Sequence, residues 1–214
     1  MELFAARLVE WYRQNARRFP WRDSSTGPYP TLIAEIMLRK TTARNVEHVF
    51  TAFMSRYPSV HTLAEANEPE LRDLIRPLGI ADRARLLCTT AQAICEKHNG
   101  QVPASLAALL ALPGVGRYTA NAVRCFGYGQ PVALLDTNVI RVLNRVFSVK
   151  STKPRPHTDP NLWAIAESLV PPEQSQSYNR SLLDLGATIC TFRNPRCHSC
   201  PLADQCDYFR RGSL

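Results

Sequence analysis

The sequence predicts an all-α chain, and three observations carry that reading. Apolar residues recur at helical spacing through most of the 214 residues. Strand-like alternation is nearly absent, and Pro, Gly and N-capping residues punctuate the periodic segments. The length suffices for one large domain or two small ones with a sizeable core.

Taken in order, Glu2–Asn15 reads as an amphipathic helix with Leu3, Leu8, Trp11 and Tyr12 on or near one face, unlike a secretion signal. The segment RRFPWRDSSTGPYP is a break. Helices are predicted over Thr31–Lys40 and Ala43–Tyr57, then shorter ones at His61–Ala66 and Pro69–Arg76. Asp82–Lys97 is long and amphipathic. Ala104–Ala111 is rich in Ala and Leu, strong helix formers, and stops at Pro113-Gly114 before Arg117–Phe126 resumes. Asp136–Phe147 follows, with Asp and Thr where N-caps belong. KSTKPRPHTDP, from Lys150, is a loop, and Asn161–Leu169 and Ser177–Ile189 are the last long helices. No internal repeat or low-complexity tract interrupts the series.

Composition narrows the function. The 26 basic against 18 acidic side chains give a formal charge of +8 and a pI near 9.4. That excess favours a polyanionic partner, with nucleic acid the leading candidate. No apolar run reaches the roughly 18 residues that a membrane span needs, and the expected compartment is the cytoplasm. Seven cysteines, an odd count, argue against a fully paired secreted framework. Cys88, Cys95 and Cys125 lie in apolar helical context and read as small core residues.

The other four cysteines crowd the C-terminus as C-TFRNPR-C-HS-C-PLADQ-C, with gaps of six, two and five residues. Cys190, Cys197, Cys200 and Cys206 are close enough in sequence to wrap one centre. By spacing alone, zinc and an iron–sulfur cluster are equally good occupants. Upstream, LPGVG joins two helices. Gly114 and Gly116, on either side of Val115, expose backbone N–H groups that, with the helix opening at Arg117, can hold an anion such as a DNA phosphate. Asp136 follows an apolar run and precedes an apolar-faced helix, where burial and a helix N-terminus both act on it, and the helix end favours its anion and keeps it ionised. Glu35, in TLIAEIML, has apolar neighbours that can raise a carboxyl pKa and leave it able to donate a proton.

Together these pieces resemble the helix-hairpin-helix DNA glycosylases of the endonuclease III and MutY superfamily. The carrying segments are FPWR, PTLIAEIMLRKTTARNVEHVF, PLGIADRARLL, VPASLAALLALPGVGRYTANAV, LLDTNVIRVLNRVF, LDLGATIC and the four-cysteine loop. The resemblance implies a two-lobed fold, with a six-helix barrel over roughly 21–136. Residues 1–20 and 137–214 would form the other lobe, with DNA across the groove between them. It turns the metal expectation toward a [4Fe-4S] cluster on the four cysteines.

It also implies roles. Asp136 matches the family's catalytic aspartate, and Glu35 the glutamate that MutY-type enzymes use as an acid. Tyr118 stands where the strand-cutting branch has a lysine that forms a Schiff base with the sugar. A tyrosine there implies a monofunctional enzyme that leaves an abasic site. Arg39-Lys40-Thr41 replaces the Gln-Gln pair of MutY-type chains, and the sequence ends eight residues after Cys206, without a lesion-reading domain. The combination looks most like the small mismatch glycosylases acting on thymine or uracil opposite guanine. In that reading Arg39 fills the hole left by the flipped base or contacts the orphan guanine, and Ile80 wedges into the stack. The partner is double-stranded DNA bearing a mismatched base, and a monomer is expected. An adenine glycosylase and a non-catalytic DNA-binding module are the alternatives.

Overall fold

The computed structural model describes residues 2–23, 26–79 and 82–212, and among them no strand occurs. In chain order the helices are α1 (Glu2–Asn15), α2 (Pro28–Met37), α3 (Ala43–Arg56), α4 (Val60–Ala64), α5 (Glu68–Ile75) and α6 (Arg83–His98). They continue as α7 (Leu106–Leu110), α8 (Arg117–Ala122), α9 (Thr137–Phe147), α10 (Pro160–Ser168), α11 (Ser175–Thr188) and α12 (Asp207–Arg210). No described helix is long and apolar enough to cross a membrane.

The helix starts follow from local chemistry. Thr42, Ser59, Asn67, Ser105, Asp136 and Asp159 each accept a backbone N–H of the helix they open, satisfying donors with no intrahelical partner. The helix predicted from Thr31 starts earlier, at Pro28. Prolines in a first turn lose no hydrogen bond there, and their φ suits a helix. It also stops earlier, at Met37, because the chain turns at Lys40 with φ +53°.

Two compact units form, Met1–Arg17 with Gly129–Leu214, and Arg18–Tyr128. In the continuous unit, α2 to α6 and the α7–α8 hairpin close over Leu32, Ile36, Met37, Phe53, Leu63, Leu71, Leu87, Ile94 and Leu109. In the other, α1, α9, α10 and α11 surround Phe4, Leu8, Val142, Leu143, Tyr178, Leu182 and Leu185. Phe4 lies edge-on to Phe147 and Tyr178 there. Residues 129–136 belong to this second core, where Ala133 and Leu135 are buried.

The helix predicted over Arg117–Phe126 changes form at its end. After Ala122 it widens into a π turn, Val123–Gly127, that packs on α2. Gly127 is required there, since an added Cβ would lie 2.7 Å from the Pro28 Cα, a backbone atom that cannot swing away. Gly127→Ala is therefore expected to destabilise the protein by about 1–3 kcal/mol and lower Tm by roughly 2–12 °C. Thermal unfolding followed by circular dichroism checks this, and an unchanged Tm would contradict the packing described.

Candidate active site

Asp136 owes its position to the segment before it. Ala133, Leu134 and Leu135 are buried in non-helical backbone, and Asn179 on α11, also buried, bonds to that backbone twice. Its Oδ1 accepts from the Leu134 N–H at 3.1 Å, and its Nδ2 donates to the Val132 carbonyl at 3.0 Å. Asp136 then caps α9. Its Oδ1 accepts from the Val139 N–H at 2.7 Å and its Oδ2 from the Asn138 amide at 2.9 Å. The Asn138 Oδ1 accepts from Arg141 at 2.8 Å. Arg141 donates onward to the carbonyls of Gly186 at 2.6 Å and Cys190 at 2.8 Å. Gly186 permits the close approach, because a Cβ there would come within 2.7 Å of the Asn138 Cβ.

Burial and the helix end act on Asp136 in opposite directions. Desolvation raises its pKa above the usual carboxylate value. Hydrogen bonds from Val139 and Asn138 and the Arg141 charge offset only part of the rise.

In the continuous unit, Glu35 lies on α2 with only 7% exposure, and Ile33, Ala34, Ile36 and Met37 beside it are more deeply buried. A helix apolar on every face is a buried helix, and α2 packs against α8 and the π turn. Tyr118 is the second residue of α8 and partly exposed. Between α7 and α8, Gly114 turns with φ +69° and Gly116 is extended at the cap position, with open space where its Cβ would be. Val115 is buried and its N–H bonds back to the Leu112 carbonyl at 3.2 Å. The Pro113 carbonyl accepts from Thr90 at 3.0 Å and the Gly114 carbonyl from Arg39 at 3.3 Å. Arg39 and Lys40 are exposed, Thr41 and Arg117 partly so, and Thr41 Oγ1 accepts from Asn45 at 3.2 Å. Ile80 lies outside the described residues.

Cys190, Cys197, Cys200 and Cys206 line one cavity with Val142, Val146, Leu185, Ile189 and Leu202. All four are free thiols. Arg145 reaches the loop from α9, with Nη1 3.3 Å from the Cys190 Sγ and 2.7 Å from the Thr191 carbonyl, and its guanidinium lies 4.8 Å over the Tyr208 ring. Burial, with the neighbouring cysteines, pushes the Cys200 thiol up to about 12 and raises Cys197 as well. Four mutually repelling thiolates in an apolar cavity need a cation to ionise them, so the donor chemistry fits a metal centre. Among the described residues, no three His, Cys, Asp or Glu side chains form a group with metal-binding geometry.

Sequence reasoning did not single out Asn138, Arg141 or Asn179. The signal for the first two lay in TNVIR, where a polar pair three residues apart shares one helix face. Asn179 gave no local signal.

Residues 33–168 match the HhH-GPD superfamily base excision DNA repair protein family. The chain is 46% identical to a thymine-DNA glycosylase of Aeropyrum pernix, over 98% of this chain and 95% of that protein. It is 41% identical to a thymine/uracil-DNA glycosylase of Pyrobaculum aerophilum, over 97% and 92%. Among solved structures, a thermostable thymine-DNA glycosylase superposes with TM-score 0.92 at 34% identity, covering 98% of this chain and 96% of that one. Endonuclease III trapped as a covalent DNA intermediate superposes with TM-score 0.80 at 26% identity, covering 98% and 95%. The all-helical architecture is thus endonuclease III-like, and the chain belongs to the HhH-GPD superfamily of base excision DNA repair proteins.

Proposed function

We propose that this protein is a monofunctional DNA glycosylase that removes thymine or uracil mispaired with guanine. The observation that carries the chemistry is the Asp136 carboxylate, whose two oxygens are each held by a donor, the Val139 N–H and the Asn138 amide. Full-length likeness to a thymine- and a thymine/uracil-DNA glycosylase supports the choice of base.

The target nucleotide leaves the stack so that its glycosidic bond can be reached. As that bond breaks, the base departs with the electron pair and positive charge develops on the sugar. The fixed Asp136 anion stabilises that charge without having to reorient. Glu35, once protonated, supplies a proton to the leaving base. Water attacks the sugar carbon and loses a proton, and the products are the free base and an abasic site. Tyr118 has no amine and forms no Schiff base, so its ring serves to pack against sugar or base. The Gly114–Arg117 turn grips phosphate, while Arg39, Lys40, Thr41 and Ile80 engage the duplex around the mismatch. Cys190, Cys197, Cys200 and Cys206 would hold a [4Fe-4S] cluster. When bound, it would supply the positive charge that ionises the thiols and cross-links their loop.

Duplexes carrying T·G, U·G, A·G and A·8-oxoguanine, compared under single-turnover conditions, test the assignment. Release of thymine and uracil with adenine left in place is expected. Preferential release of adenine would overturn the base assignment, and release of none would overturn the enzymatic reading.

A further inference from the structure

Arg83 opens α6 with 3% exposure, unusual for an arginine. Its Nη1 donates to the Leu78 carbonyl at 3.1 Å and its Nη2 to the Arg39 carbonyl. A single planar guanidinium therefore joins two separate loops. Both accepting carbonyls immediately precede a left-handed residue, Gly79 at φ +68° and Lys40 at φ +53°. The peptide group that carries the Arg39 carbonyl is the one whose setting defines the Lys40 φ, and the Leu78 carbonyl stands in the same relation to Gly79. Lysine has no intrinsic preference for that conformation, which persists only where its surroundings impose it.

Two further contacts extend the arrangement to the hairpin. Arg39 donates to the Gly114 carbonyl at 3.3 Å, and Leu86, one turn along α6, packs where a Gly114 Cβ would stand, 2.5 Å from its Cδ1. Arg39, Lys40, Asp82, Arg83, Arg85 and Leu86 together line a cavity of about 400 Å³.

We propose that Arg83 is a positioning residue for mismatch recognition: it locks the loop carrying Arg39-Lys40-Thr41 to the Leu78–Gly79 turn and so sets the shape both present to DNA. This rests on the mismatch-glycosylase reading above. Its acceptors are backbone carbonyls and its side chain is buried, so Arg83 acts through those loops rather than by binding phosphate.

Arg83→Met and Arg83→Lys test it, with affinity measured on T·G and matched C·G duplexes across a salt series, alongside excision from T·G. Arg83→Met is expected to reduce the preference for the mismatch and the excision rate by roughly 10- to 100-fold. The salt dependence on matched DNA should stay unchanged. Arg83→Lys keeps the charge and one donor direction but not the fork. It should recover only part of the loss, and it carries the test if the methionine variant fails to fold. Wild-type preference and rate in Arg83→Lys, or in both variants, would overturn the proposal. So would a salt slope lowered by about one with preference intact, which marks a direct phosphate contact. A wild-type protein without any preference for T·G would overturn the functional reading and this inference with it.

Discussion

Replacing Asp136 with Asn is expected to lower single-turnover excision by roughly 10²–10³-fold, while affinity for a T·G duplex stays near the wild-type value. The amide removes the negative charge opposite the developing sugar cation but keeps an oxygen able to accept the Val139 N–H, so the helix remains capped. One contact does suffer. The new NH2 group would face the Asn138 amide donor, and turning Asn138 around would set its own NH2 against Arg141. One hydrogen bond in the chain is therefore lost, at about 1–3 kcal/mol.

The same carboxylate should set the acid limb of the pH–rate profile. Because burial raises its pKa, activity is expected to fall with decreasing pH above the usual aspartate range. The sign for stability is opposite. A raised pKa means the fold favours the neutral carboxyl, a contribution complete below the unfolded pKa and lost as pH rises through the folded one. Near-wild-type turnover in Asp136→Asn would remove Asp136 from the catalytic role.

The largest stability loss is expected at Arg17 and Asp184. Asp184 on α11 has no exposed side-chain surface, and its Oδ1 accepts from the Arg17 Nε at 2.6 Å while its Oδ2 accepts from the Arg17 N–H at 3.0 Å. This pair ties the residues after α1 to α11. Arg17→Met leaves the buried carboxylate without that guanidinium, and about 3–5 kcal/mol of stability should be lost. A Tm lower by roughly 6–20 °C follows for a chain of this size. Arg17→Met combined with Asp184→Asn removes both charges, keeps an oxygen for the Arg17 N–H, and should recover much of the loss. A double variant no more stable than the single one would show that the side-chain ion pair is not the cause.

Most helices are legible in the sequence because their signals are local. Thr42, Ser59, Asn67 and Asp136 mark starts through their own side chains, and the α7–α8 hairpin follows from Pro113, Gly114 and Gly116. What escaped is set by neighbours distant in sequence. Nothing in LRKTT marks Lys40 as left-handed, since Arg83, far along the chain, holds the preceding carbonyl. The π turn depends on how closely Gly127 passes Pro28. For the candidate site, Asp136 was visible as a cap, whereas its link through Asn138 and Arg141 to the Cys190 backbone needs α9 against a glycine of α11. The apolar run before Asp136 marked it for burial, but that desolvation outweighs the helix end and the donors from Val139 and Asn138 is a property of the folded unit.

A monofunctional glycosylase removes a base and leaves the strand whole. One measurement meets that directly: a T·G duplex, labelled on the thymine strand, incubated with the enzyme and split into samples with and without hot alkali. Tyr118 in place of an amine predicts strand breakage only in the alkali-treated sample. Breakage at the thymine in the untreated sample, with a borohydride-trapped enzyme–DNA adduct, would contradict it.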